Sequence, residues 1–173
     1  ELSRSGVTHA IRIGSRGSLQ KNIHLWELIL VQGAVRDEGT SKTYIDSIYP
    51  AIPDYELFSA CVEAARKEMI PFHVGLGRSH DSFYTDREDE IDALWASKDV
   101  LGADMETAAL YVIGRLRGVH TASILNTVVE YEENLEENIN NYTDGASRMM
   151  QGEWNEIHTA LEALYMVSQA DDR

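Results

Sequence analysis

Three short segments combine residue types that can do chemistry. The first is Arg12-Ile13-Gly14-Ser15-Arg16-Gly17. Its glycines permit a tight turn and close approach of the backbone to a ligand. Ser15 offers a hydroxyl, and nearby amides can point into such a turn as an anion nest. Arg12 alternates with Ile11 and Ile13 in an extended run, so its side chain emerges on the face opposite theirs. A guanidinium there needs an anion, either a bound one or a structural carboxylate, and the local pattern leaves both open. The segment lacks the Gly-Lys-Ser/Thr ending of a nucleotide triphosphatase phosphate loop. The second segment is Asp104-Met105-Glu106, ahead of a helix of small residues. A carboxylate here can accept hydrogen bonds from the vicinal hydroxyls of a sugar while the methionine packs on the apolar face. The competing reading is that acids favour the first turn of a helix, where the macrodipole stabilises them. The third, Ser82-Phe83-Tyr84, can stack on a flat heterocycle or belong to the core.

Other chemistries find less support. His9, His24, His73, His80, His120 and His158 show no zinc-type spacing, so no metal site is expected. Cys61 falls inside a predicted helix with nothing nearby to lower its pKa, and it is not expected to act as a nucleophile. As the single cysteine it excludes an intramolecular disulfide and fits a reducing compartment. Lys and Arg total 15 against 29 Asp and Glu, a net charge of -14, which argues against non-specific nucleic-acid binding. It does not argue against a small anion, which a few placed arginines can hold inside an acidic protein. No apolar run approaches the ~20 residues of a membrane span. With 173 residues, 43% of them hydrophobic, the expectation is one soluble cytoplasmic domain over residues 1–173.

The elements that must position these segments alternate. Apolar runs predict strands at 9–13, leading into the glycine segment, and at 28–31, running on towards Ala34-Val35. Helical spacing starts at Asp54, a plausible N-cap after Pro53, with Leu57, Cys61 and Ala64 or Ala65 on the buried side and Glu68-Met69 following. A third strand is predicted at 72–76. Residues 85–99 read as a loop and a short helix carrying Leu94 and Trp95. A helix is expected from Met105 to Leu116, with Ala108, Ala109, Val112, Ile113 and Leu116 inward. A strand follows over 121–129, then the acidic run from Glu130 to Glu137. A long final helix is expected to bury Met150, Trp154, Ile157, Leu161 and Leu164 on one face. This alternation predicts an α/β domain with a mixed or parallel sheet, whose ligands sit at the carboxyl ends of strands.

The order and spacing of residues 7–20, 34–57, 80–84 and 104–111 resemble the nucleoside phosphorylase family, in its uridine phosphorylase and hexameric purine nucleoside phosphorylase branch. The specific parts are the Arg-x-Gly-Ser/Thr-x-Gly segment and the Met-Glu pair. The resemblance implies a three-layer phosphorylase/hydrolase-like fold, a central mixed sheet flanked by helices. It also implies a reversible reaction in which a ribonucleoside and phosphate give free base and ribose 1-phosphate. On that basis Arg12, Gly14 and Ser15 match the phosphate site, and Met105 and Glu106 match the residues that hold the ribose. Phe83 matches the aromatic against the base, and Asp104 a usually acidic position beside it. No cofactor is implied beyond phosphate as co-substrate. The implied assembly is a dimer-based homo-oligomer, of which a hexamer is one form, with no nucleic-acid or membrane partner.

Two departures bear on the base. Where uridine phosphorylases carry a glutamine and an arginine that read the uracil edge, this chain has Arg87 and Asp89. Where purine enzymes carry an aspartate after the strand, this chain has Glu130, one methylene longer, which either protonates the base or is a solvated loop residue. A hydrolytic nucleosidase and a catalytically silent nucleoside-binding member therefore stand as alternatives. Family members also carry, ahead of the matched portion, a glycine-rich loop with another phosphate-binding arginine. The chain begins at Glu1 after that point, without a methionine, as a fragment of an ordinary enzyme would. If it truly starts there, little or no catalysis is expected.

Overall fold

The computed structural model describes residues 1–131 and 142–171. Five strands, β1 (His9–Ser18), β2 (Leu28–Asp37), β3 (Phe72–His80), β4 (Val100–Asp104) and β5 (His120–Val129), form one sheet. It closes on itself in the order β1-β4-β3-β2-β5. The sheet is mixed: β1/β5, β2/β3 and β3/β4 are parallel, β1/β4 and β2/β5 antiparallel. Helices α1 (Tyr55–Lys67), α2 (Glu88–Ala96), α3 (Thr107–Leu116) and α4 (Tyr142–Asp171) connect or follow them.

The unbroken apolar run Leu28–Val31 is explained by burial on both faces. Leu28 and Leu30 join Ala122, Ile124 and the α1 residues Leu57, Cys61, Ala64 and Ala65, with Ala160 and Ala163 of α4. Ile29 and Val31 join Leu125 and the α3 residues Ala108, Tyr111 and Val112 on the other side. The arrangement is thus α1 and α4, sheet, α3, the three-layer order expected. At the start of α1, the Asp54 side chain accepts from Leu57 N–H at 3.0 Å, as an N-cap does.

Several sequence expectations change. The glycine segment is not a turn: β1 continues through it to Ser18, because β5 pairs along its whole length and β4 joins at Gly17 and Ser18. Neither Gly14 nor Gly17 has a positive φ. Helix α1 ends at Lys67, leaving Met69 exposed, and α3 starts at Thr107 rather than Met105, with Leu116 40% exposed.

The largest correction concerns α4. Met150, Trp154 and Leu161 are each more than half exposed, whereas Gly152, Asn155, Glu156, Thr159, Ala160 and Ala163 are buried. Close approach of this helix to the sheet selects small and hydrogen-bonding residues: a Cβ on Gly152 would lie 2.0 Å from Asn126 Oδ1. The end of the acidic run, beyond Tyr131, lies outside the described residues.

Candidate functional site

Alternation along β1 sets Arg12, Gly14 and Arg16 on the face toward α3, since Ile11 packs against the opposite core. The Arg12 guanidinium lies over Gly14, where a Cβ would sit 3.0 Å from its Nη1. Gly14 therefore serves by leaving space, not by bending the chain. From there Arg12 Nη2 donates to Glu106 Oε2, and Nη1 stands 3.5 Å from Asp104 Oδ2. The two segments singled out in the sequence, 94 residues apart, meet side chain to side chain.

The acidic pair divides its labour. Asp104 is buried, and both its oxygens are engaged: Oδ1 accepts from Ser79 Oγ–H at 2.5 Å, and Oδ2 from the N–H and hydroxyl of Thr107. It caps α3 and ties it to β3, as the helix-start reading anticipates. Glu106 makes no cap bond; its side chain is 59% exposed and turns to Arg12. Ser79 Oγ in turn accepts from Ala108 N–H, and Thr107 Oγ1 lies 2.8 Å from Ser123 Oγ. This buried hydroxyl network fixes where β4 hands over to α3, and hence where Met105 and Glu106 point.

The remaining candidates are more dispersed. Ser15 lies at the opposite parity of β1, exposed, its hydroxyl without a partner among the described residues. Phe83 is 56% exposed and meets Tyr84 edge to face at 5.0 Å, so this pair is not core. It sits on the connection leaving β3, whose Ser79 is in register with Asp104. Arg87 is exposed and paired with Glu90 through two hydrogen bonds. Glu130 accepts from Leu25 N–H at 3.0 Å and stands 3.4 Å from His24 Nδ1. Neither has a bond or ion pair with the Arg12 group among the described residues.

Two further residues belong to the site. Glu156 of α4 is 6% exposed and accepts from Gly14 N–H at 3.0 Å. Along most of β1 only β5 pairs, so alternate amides face away from the ladder, and Glu156 takes this one. Burial raises its pKa to about 7, opposed by Gly14 N–H and Arg12 and reinforced by Glu153. No sequence signal marks it, because a glutamate on an amphipathic helix reads as solvated. Arg16 is 3% exposed, with Nη2 donating to Thr127 Oγ1 at 3.3 Å. Burial lowers its pKa to about 9, partly offset by Asp104. Its strand parity with Arg12 was the available signal. Among the described residues no group of three or more His, Cys, Asp and Glu is placed to hold a metal ion, and no helix is long and apolar enough to cross a membrane.

A mixed sheet between helices, with an arginine of one strand clasped to a carboxylate at the start of a helix, defines an α/β protein with a charged cluster where β1, β4 and α3 meet. Comparison with known proteins makes this specific. Residues 2–151 match the model of the phosphorylase superfamily, and the chain belongs to that family. It is 36% identical to a guanosine phosphorylase of Halorubrum lacusprofundi over 72% of this chain and 51% of that protein. It is 34% identical to a uridine phosphorylase of Thermococcus kodakarensis, over 72% of this chain and 49% of that one. A crystal structure of uridine phosphorylase from Vibrio fischeri ES114, complexed with 6-hydroxy-1-naphthoic acid, superposes with a TM-score of 0.87 at 47% identity, covering 96% of this chain and 67% of that chain. The chain spans about half the length of the curated relatives it matches.

Proposed function

We propose that the full-length protein catalyses phosphorolysis of a ribonucleoside, giving free base and ribose 1-phosphate. The carrying observation is the direct pairing of Arg12 with Glu106 in a chain of the phosphorylase superfamily. Breaking the glycosidic bond leaves positive charge on the ribose ring and negative charge on the departing base. Phosphate drawn by Arg12 is both nucleophile and counter-charge to the ring. Glu106, exposed enough to exchange its arginine for sugar hydroxyls, orients the ribose against Met105. The mobile partner of Arg12 is then the incoming phosphate, while Asp104, held by three donors, stays in place. Phe83, exposed beside the end of β3, supplies a stacking surface for the base. Arg87 and Glu130, engaged elsewhere, take no part.

The names of the relatives, guanosine, uridine and purine nucleoside phosphorylases, support this reaction and leave the base open. No cofactor enters besides phosphate. The protein acts in the cytoplasm as a homo-oligomer; the exposed Met150, Trp154, Leu161 and Tyr165 along α4 support a surface covered by another copy. The test is base release from uridine, inosine, guanosine and adenosine with and without phosphate. Release that requires phosphate is expected. Its absence in folded full-length protein overturns the proposal, and release independent of phosphate replaces it with a hydrolytic nucleosidase.

A further inference from the structure

Two ionisable groups converge on Gly14. The Arg12 guanidinium lies over it, with Nη1, Cζ and Nη2 all within 3.2 Å of where a Cβ would be. From α4, Glu156 takes the Gly14 N–H at 3.0 Å. Accepting one amide does not require an acid, since a glutamine oxygen would serve, yet it is a carboxyl that is buried here. Its surroundings pull both ways. The N–H groups of Gly14 and Asn126 and the charge of Arg12 favour the anion, while Glu153, one turn earlier on α4, opposes it. Burial outweighs the favourable groups and lifts the pKa to about 7, so the carboxyl stands between its two states near neutral pH. No hydrogen bond or ion pair joins Arg12 to Glu156 among the described residues; the guanidinium faces Asp104 and Glu106. Other charges on this side are engaged or turned away. Where α1 meets α4, Lys67 pairs with Glu162, more than a turn beyond Glu156, and His158 is exposed beside Trp154.

Resting on the phosphorolysis reading, we propose that Glu156 is a positioning residue of the phosphate site: through Gly14 it seats Arg12, and its loss of a proton weakens the hold on phosphate. The geometry supplies the first half. Arg12 leans on a glycine whose amide Glu156 pins, so a shift of one is felt by the other. Charge supplies the second half. With the carboxyl neutral, phosphate competes for Arg12 against Asp104 and Glu106 alone. With the carboxyl ionised, one more negative charge stands against the same glycine, in an enclosure where water and salt screen little. Binding of a dianion at Arg12 and of a proton at Glu156 therefore favour one another. The coupling is reciprocal, so phosphate on Arg12 draws a proton onto Glu156. That proton comes from solvent and returns to it when ribose 1-phosphate leaves. No bond of the substrate is made or broken by it.

The experiment compares base release by full-length wild type and Glu156→Gln over a range of phosphate concentrations and pH; Glu156→Met replaces the glutamine variant should that one not fold. Phosphate changes its own ionisation over the same range, so the quantity read is the ratio of phosphate KM, wild type over variant. This ratio is expected to rise about 10-fold between about pH 6 and about pH 8, an ordinary size for the coupling of two linked sites. The corresponding ratio for the nucleoside KM should stay level. A merely structural Glu156 would shift the phosphate KM by the same factor at every pH. A ratio that is constant or falls with pH therefore overturns the proposal, as does a nucleoside ratio that rises in step. If the wild type releases no base in phosphate, the phosphorolysis reading fails by itself, and sulfate, a dianion throughout this range, decides Glu156 separately. Calorimetry at about pH 7.5 in two buffers of different ionisation heat is expected to show sulfate binding with proton uptake by the wild type and without it by the variant. Binding without uptake, uptake that persists in the variant, or no binding overturns the proposal.

Discussion

Replacing Glu156 by glutamine should change how stability depends on pH, and the direction can be worked out. The carboxylate of Glu156 is buried against β1, and burial lifts its pKa from an ordinary 4.5 to about 7. Between those values the folded protein holds a proton that the unfolded chain has released. The stability this contributes is complete below 4.5 and is lost as pH rises through about 7. At about 1.4 kcal/mol per pH unit, the interval amounts to about 3 kcal/mol. Glutamine keeps an oxygen for Gly14 N–H and removes the titration. Urea unfolding of both proteins between about pH 4 and pH 8 should therefore show the wild type losing ground to Glu156→Gln with rising pH. With a slope of about 2 kcal/mol/M for a chain of this size, the midpoints should shift relative to one another by about 1–2 M. A constant offset across the range refutes the reasoning. A gap that moves in favour of the wild type as pH rises refutes it more sharply, since Arg12 would then be holding Glu156 ionised.

Arg12→Ala should chiefly raise the phosphate KM, by about 10- to 100-fold for a lost charge-assisted pair, whereas Glu106→Gln should chiefly lower kcat/KM; steady-state kinetics in which both variants match the wild type would remove the site assignment. Cys61, whose thiol burial pushes up to about 12, should resist iodoacetamide in the native protein at neutral pH and react only after unfolding, as read by intact mass. Gly102→Ala should destabilise by several kcal/mol, since its Cβ would meet not only Arg16 but the Gly17 carbonyl oxygen at 2.5 Å, and backbone cannot step aside; a melting temperature equal to the wild type would contradict this packing.

Much of the fold was legible before any coordinates. Leu28–Val31 reads as a strand buried on both faces because every residue is apolar, and the cores on either side confirm it. Asp54 after Pro53 announces α1, and the cap bond to Leu57 is present. Arg12 and Glu106 stood out in the sequence as a guanidinium and a carboxylate in search of partners, and their side chains do meet. What these share is local encoding: a cap, a periodicity or a charge in an apolar strand is a property of a few neighbouring residues.

Tertiary structure decided the rest, for reasons that no local pattern contains. Apolar spacing in α4 pointed to Met150, Trp154 and Leu161, yet close contact with the sheet turned Gly152, Ala160 and Ala163 inward, because steric fit outweighs hydrophobicity where backbones approach. The glycines at 14 and 17 suggested a bend, but hydrogen bonding to β5 kept the strand extended. Glu156 looked like surface until the fold set it against Gly14, and Arg16 looked like an unremarked position in a loop until β4 and β5 closed over it. Desolvation is a property of the enclosure rather than of the residue, so only the assembled sheet and helices could reveal which charges it acts upon.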